Sequence, residues 1–355
     1  VSEPWKKDFL GNVATLQRGF DLPQRLRKMG NVPIVTSSGI EVTHNEFKVR
    51  APGVVTGRYG TIGQVFYVSE DFWPLNTTLY VRDFHGNDPL FVSYMLRTIN
   101  FHTYSGKSGV PGVNRNDLHE IVISMPPSKV EQLTIADALS DADTLIESIE
   151  QYLAKKSQIK QGVVQELFTG RRRLPGFNAD WKTRRLSAIC TMKSGEGITS
   201  IDIDEHSRFP CYGGNGLRGF TKRFTHDGSY ALIGRQGALC GNISIVDGQF
   251  FASEHAIVVT PKKGTDIRWL SQVLKRMNLN QYSESSAQPG LSISKLLILE
   301  CNFPPYDEQT AIANILHDID VEIVSLETKL KKARLIKQGM MQVLLTGRIR
   351  LIDQI

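Results

Sequence analysis

Apolar residues recur at a spacing of three and four over two stretches of the chain. In the first, Leu139, Ile146, Leu153, Lys160 and Leu167 share one heptad position, and Ile135, Ala142, Ile149, Lys156 and Val163 share the other. In the second, Leu316, Ile323, Leu330, Lys337 and Leu344 stand against Ile312, Ile319, Leu326, Ala333 and Met340. A repeat of 3.5 residues with a narrow apolar stripe predicts two long helices of the kind that pair in a coiled coil. Pro126-Pro127 and the capping-box spacing of Ser128 and Glu131 open the first, and Thr169-Gly170 and Thr346-Gly347 supply glycines suited to left-handed C-caps. Each helix then runs for about 40 residues, roughly 60 Å at 1.5 Å per residue. A stripe this narrow needs a partner. Periodicity leaves open whether the partner lies in the same chain, and whether Lys160 and Lys337 fix the register or reach past the seam to solvent.

The two stretches are copies of one another. A shift of 177 residues lays residues 131–174 over 308–351 without gaps, and about half of the 44 positions are identical. The offset continues more faintly through the flanking regions. Pro33 and Gly39 fall on Pro210 and Gly216, Gly57-Arg58-Tyr59-Gly60 falls on Gly234-Arg235-Gln236-Gly237, and Pro111-Gly112 matches Pro289-Gly290 after one insertion. The protein is one module written twice, with a well-kept helical part and a diverged globular part.

The diverged parts read as strands and tight turns. Runs such as "GQVFYVS", "TTLYVRD", "NISIVDGQFF" and "HAIVVTP" are β-branched or aromatic and punctuated by Gly, Asn and Asp, with helices expected near "DPLFVSYMLRTIN" and "DIRWLSQVLKRMN". The expected class is α+β, organised as a globular domain over 1–125, a helix over 126–174, a second globular domain over 175–303 and a second helix over 304–355.

At 355 residues the chain has room for two cores. A hydrophobic content of 41% and a charged content of 22% are those of a globular protein, and no apolar run is long enough to span a bilayer. The N-terminal segment has no apolar stretch of the signal-peptide type, which gives a cytoplasmic expectation. The four cysteines show no Cys-x-x-Cys spacing and read as reduced thiols, with no metal site expected. A net charge of +6 permits contact with phosphates without requiring it.

Two motifs are tempting. "GNGLRG", Gly214 to Gly219, matches a dinucleotide-loop spacing, but "FTKRFTHDGSY" after it has no helical period, so a glycine-rich turn is the better reading. "NFPPY", Asn302 to Tyr306, approaches an adenine-methyltransferase motif, but Phe303 interrupts it and its partner "SMPPS" lacks the amide and the aromatic. Other catalytic signatures are absent, and no enzymatic role is expected of this chain.

What recurs in both globular parts is Gly-Arg-x-Gly. Arg58 and Arg235 stand between glycines that let the backbone approach a partner, and an arginine so placed can grip a guanine edge or a phosphate. Polar loops align nearby, with Lys107, Ser108, Asn114 and Arg115 in one copy and Ser286, Gln288 and Ser294 in the other. Arg18, Tyr59, Lys193 and Gln236 complete the candidate DNA contacts, while Leu139, Ile146, Leu153, Leu316, Ile323 and Leu330 are the expected helix-pairing seam.

This order of parts, with Glu131-Gln132 and Glu308-Gln309 opening the helices, "KQG" within them and "LFTGRRRL" or "LLTGRIRL" closing them, resembles the specificity subunit of type I restriction-modification systems. The resemblance covers essentially the whole chain. It implies two target recognition domains, each reading one half of a split sequence on double-stranded DNA, and two spacer helices packed antiparallel as an intramolecular coiled coil with pseudo-two-fold symmetry. It also implies two methyltransferase subunits as partners, restriction subunits in the full complex, and S-adenosylmethionine, ATP and Mg on those partners, with no cofactor in this chain. The specificity chain of a type IIB-like fused restriction and methylation enzyme would look much the same. A coiled-coil scaffold that binds proteins is the more distant alternative.

Overall fold

The computed structural model describes residues 4–105, 112–237, 239–283 and 290–351. They fall into two compact units, one made of Val1–Gln151 with Thr328–Ile355 and the other of Tyr152–Glu327. The predicted seams form continuous helices, Lys129–Thr169 and Tyr306–Leu344, and each helix gives one half to each unit.

In the first unit a four-stranded antiparallel sheet has the order Thr15–Arg18, Thr78–Asp83, Gly53–Gly57, Val65–Val68. A smaller sheet pairs the hairpin Val32–Thr36/Gly39–His44 with Trp73–Pro74, and Lys6–Phe9 pairs with Val122–Met125. The helix Pro89–Leu96 is capped by Asp88, whose carboxylate accepts from the Phe91 N–H at 2.7 Å. Behind the main sheet the core gathers Leu10, Leu16, Leu79, Phe91 and Phe101. Ile135 and Leu139 from the start of the first long helix, and Leu344 and Leu345 from the end of the second, join it.

The second unit repeats the plan. Its main sheet runs Cys190–Ser194, Ala256–Pro261, Tyr230–Gly234, Ile243–Val246, the same order as in the first. The hairpin Phe209–Gly213/Gly216–Thr221 contains the "GNGLRG" glycines, so that motif is a hairpin turn and returning strand. The helix Ile267–Arg276 is capped by Asp266 and presents Trp269 to a core shared with Leu167, Phe168, Ile312 and Leu316.

The long helices pair antiparallel within the chain. In the first unit Lys337 pairs with Asp143, and Glu150 accepts from Arg334 at 2.6 Å. In the second, Lys156 pairs with Glu322, and Lys160 with Asp320 at 2.5 Å. Lys160 and Lys337 therefore each meet the matching aspartate of the facing helix. Of the expected seam, Leu139 and Leu316 are buried against the globular cores, while Ile146, Leu153, Ile323 and Leu330 are half-buried because only two helices meet there.

Both units close their helix ends with the same three residues. Glu131, fully buried, accepts from Trp5 Nε1 at 3.2 Å and from Arg350 Nη2 at 2.7 Å. Glu308, equally buried, accepts from Trp181 Nε1 at 2.9 Å and from Arg173 Nε and Nη2 at 2.6 and 2.7 Å. The capping box expected at Ser128 is thus only half formed. Ser128 Oγ accepts from the Glu131 N–H at 3.2 Å, but the Glu131 carboxylate turns to the arginine fork, a charge-assisted pair stronger than a bond to a neutral amide. Next to this clamp, Gln132 and Gln309 each accept the backbone N–H of the short-helix cap, Asp88 and Asp266, at 2.9 Å. The C-cap glycines Gly170 and Gly347 both have φ +69°, in the left-handed region, and the rings of Trp181 and Trp5 lie against them.

Two half-buried histidines tie stability to pH, His119 in the first unit and His226 in the second, burial lowering the imidazole pKa of both. His119 Nε2 accepts the Leu16 N–H at 2.8 Å, so this ring is neutral, and burial first and Arg115 second hold its pKa below the ordinary imidazole value. A depressed folded pKa gives stability that is full above the unfolded value of about 6.5 and lost as pH falls through the folded one. Urea unfolding of the wild type should therefore show a decline below about pH 6.5 that His119→Gln reduces without abolishing, since His226 remains; equal declines in the two proteins would exclude His119 as a source.

Candidate nucleic-acid interface

The two Gly-Arg-x-Gly segments are tight turns leaving the third strand of each main sheet, and their glycines have different tasks. A Cβ on Gly57 would lie 1.8 Å from the Thr61 carbonyl oxygen, and one on Gly234 would lie 2.6 Å from the carbonyl oxygens of Gly214 and Leu239. The first glycine is there for close packing. The last, Gly60 or Gly237, has φ +74° or +83°, a conformation that side chains disfavour.

The arginines between them are held alike. The Arg58 N–H donates to the Thr77 carbonyl at 2.9 Å and the Arg235 N–H to the His255 carbonyl at 2.9 Å. The Arg58 carbonyl accepts from Val113 at 3.1 Å and the Arg235 carbonyl from Leu291 at 3.0 Å. These bonds, with the bridges Tyr59–Gly112 and Gln236–Gly290, fasten Gly112-Val113 and Gly290-Leu291 to the two arginine turns. Gly112 lets the Tyr59 ring lie against the backbone, since a Cβ there would stand 2.1 Å from the ring and displace it. Lys107, Ser108, Ser286 and Gln288 of the polar loops lie outside the described residues.

The side chains diverge where the backbones agree. The Arg58 guanidinium lies 4.6 Å from the centre of the exposed Tyr59 ring, a cation–π contact that flattens both groups into one surface. Arg235 Nη1 instead donates to Ser194 Oγ at 2.9 Å, with Gln236 exposed beside it. Arg18 ends the strand Thr15–Arg18 opposite Leu79, at the same end of the sheet as Arg58, and pairs with Asp21 at 3.2 Å. Lys193 is exposed on the equivalent strand of the second unit, next to Ser194, and so shares the sheet end of Arg235. Asn114 is occupied as a cap, its side-chain oxygen accepting from Asn116 at 3.0 Å, and Arg115 follows it on the first turn of a short helix.

Sequence reasoning missed the neighbours that the hairpins supply. In the second unit Arg218, Asn215 and His255 join Gln236 and two glycines around an open pocket of about 370 Å³. Four polar side chains, Asn215, Arg218, Gln236 and His255, thus line this open surface beside Gly214 and Gly237, His255 Nε2 lying 3.1 Å from Glu254 Oε1. Among the described residues no group of three or more His, Cys, Asp or Glu side chains is placed to hold a metal ion. The four cysteines form no disulfide, and burial pushes the Cys190 thiol up to about 12. No described helix is long and apolar enough to cross a membrane.

Comparison with known proteins gives consistent results. The profile of the family described as "Type I restriction modification DNA specificity domain" matches residues 2–161 and again 178–334. The Type I restriction enzyme EcoprrI specificity subunit of Escherichia coli is 46% identical over 143 residues, 39% of this chain and 36% of that one. The match thus spans little more than a third of the E. coli relative. The Type I restriction enzyme MjaVIII specificity subunit of Methanocaldococcus jannaschii is 24% identical over 299 residues, 74% of this chain and 70% of that one. In fold, the type I restriction-modification S subunit from M. genitalium superposes with a TM-score of 0.73 at 18% identity, covering 96% of each chain.

Proposed function

Since the chain belongs to the type I restriction-modification specificity subunits, we propose that each of its globular domains reads one half of a split DNA sequence while the chain as a whole docks two methyltransferase subunits. The observation that carries this reading is the pair of arginine turns. Their backbones are fixed by equivalent bonds in both units, yet the side chains around them differ: Tyr59 on one, Gln236 and Ser194 on the other. A shared frame bearing different donors and acceptors is what two readers of different half-sites need, because base edges are told apart by their pattern of donors and acceptors. The long helices would set the spacing between half-sites, as in other recognition by paired modules.

Docking of methyltransferase subunits is supported by large apolar residues left exposed on the long helices. In the first unit these are Leu133, Leu145, Leu335 and Ile336, and in the second Tyr152, Ile159, Val321 and Val324. S-adenosylmethionine, ATP and Mg would then sit on partner subunits, and adenine methylation would be their chemistry and not that of this chain.

Exchange of residues 1–125 for the corresponding domain of a relative tests the reading. The methylated sequence is expected to change in one half only, with the other half and the spacing kept, as read by genome-wide mapping of methylated adenine. A change in both halves would refute it. Binding without sequence preference and with weak salt dependence would point to a protein-binding scaffold in its place.

A further inference from the structure

Beside each arginine turn stands a hairpin with one residue too many. In the hairpin Val32–Thr36/Gly39–His44, Val35 pairs with Ile40 and Ile34 with Val42, which leaves Glu41 as the extra residue of a β-bulge. In Phe209–Gly213/Gly216–Thr221, Tyr212 pairs with Leu217 and Cys211 with Gly219, which leaves Arg218. The positions differ by 177 residues, 218 minus 41, the offset of the repeat. A bulge takes one residue out of the ladder and re-aims its side chain, and bulges recur beside functional sites for that reason. Glu41 and Arg218 are both exposed.

Each hairpin leans on its own arginine turn. Ser37 Cβ lies 3.3 Å from where a Cβ on Gly57 would stand, and the Gly214 carbonyl approaches Gly234 in the same way. Arg218 shares its pocket with Gln236. The residue that ends the first strand of each hairpin, Thr36 paired with Gly39 and Gly213 paired with Gly216, lies close to the bulged side chain. Thr36 Oγ1 shares its one hydrogen between the Gly39 carbonyl at 3.0 Å and Glu41 Oε1 at 3.3 Å, whereas the matching Gly213 is bare, and a Cβ there would lie 2.6 Å from Arg218 Cδ.

The opposite charges decide what this position does, given the half-site reading proposed above, on which the inference rests. A residue that merely held the phosphate backbone would be basic in both units, because a carboxylate turned toward a polyanion is repelled. A carboxylate is useful against DNA where it accepts a hydrogen bond from a base, as from cytosine N4, and an arginine fork matches guanine O6 and N7. We infer that the bulge residue of this hairpin reads a base, Arg218 taking a guanine and Glu41 the amino group of a cytosine in the other half-site.

The test is selection from a library of randomised duplex DNA by the full chain co-purified with its methyltransferase subunits. Arg218→Ala is expected to reduce the preference for one guanine in one half-site by about 10- to 100-fold, leaving all other positions unchanged. Glu41→Ala should relax one position in the opposite half. Arg218→Lys keeps the charge but not the fork, so it should lose the guanine preference as well. The inference is overturned if Arg218→Lys keeps that preference. It is equally overturned if Arg218→Ala weakens binding to all sequences alike while the salt slope falls by about one, the mark of a phosphate contact. In both cases the half-site reading would stand; a wild-type complex without any sequence preference would remove both.

Discussion

Arg173→Ala is expected to destabilise the second unit by about 3 kcal/mol, among the larger single effects available outside the hydrophobic cores. The Glu308 side chain is 1% exposed and receives three hydrogen bonds, two of them from the Arg173 fork. Removing the arginine leaves a buried carboxylate with one indole N–H, and an uncompensated buried charge costs far more than the intact pair contributes. For a unit of this size the midpoint of thermal unfolding should fall by roughly 6–12 °C. Glu308→Gln should cost less, because the amide is neutral and keeps an acceptor for Trp181. The same ranking is expected for Arg350→Ala and Glu131→Gln in the first unit, where Glu131 is likewise buried. If Arg173→Ala lies within about 0.5 kcal/mol of wild type, the level of an ordinary surface change, the clamp is not a structural requirement.

The second large effect is expected at Gly57. A methyl group there would overlap the Thr61 carbonyl oxygen at 1.8 Å, so the turn bearing Arg58 must move. Gly57→Ala should cost about 2–3 kcal/mol, the range for forcing extra atoms into a packed site. Gly60→Ala should cost only about 1 kcal/mol, because its φ of +74° is strained for alanine but its nearest neighbour, Ser37 Oγ, is at 3.4 Å. Gly234 and Gly237 should rank in the same order, since Gly234 meets two carbonyl oxygens and Gly237 nothing within 4 Å. Urea unfolding of the four variants checks the ranking, and a costlier change at the last glycine of either turn would contradict it.

The long helices were legible because their information is local. Seam positions repeat every seven residues, and the glycines that end the helices are next to the residues they cap. The main sheets followed from short β-branched runs between turn residues. The clamp was not legible, since Glu131 and Arg350 lie 219 positions apart and each residue looks like part of a local motif. Glu131 even matches a capping box, and only the tertiary partner shows that its carboxylate is used elsewhere. The arginine turns were found through the repeat. Their neighbours Glu41 and Arg218 were not, because a bulge changes pairing without changing composition, and a glutamate aligned with an arginine reads as simple divergence.

The doubled clamp also bears on how such chains change over time. Trp, Glu and Arg make an equivalent fastening in both units, at Trp5, Glu131 and Arg350 and at Trp181, Glu308 and Arg173. A globular cassette exchanged between genes, or moved from one position to the other, would meet a socket of the same chemistry and geometry wherever it landed. A joint placed within the repeated helices would then leave both fastenings intact, because each tryptophan meets a glutamate and an arginine of the same kind at either position.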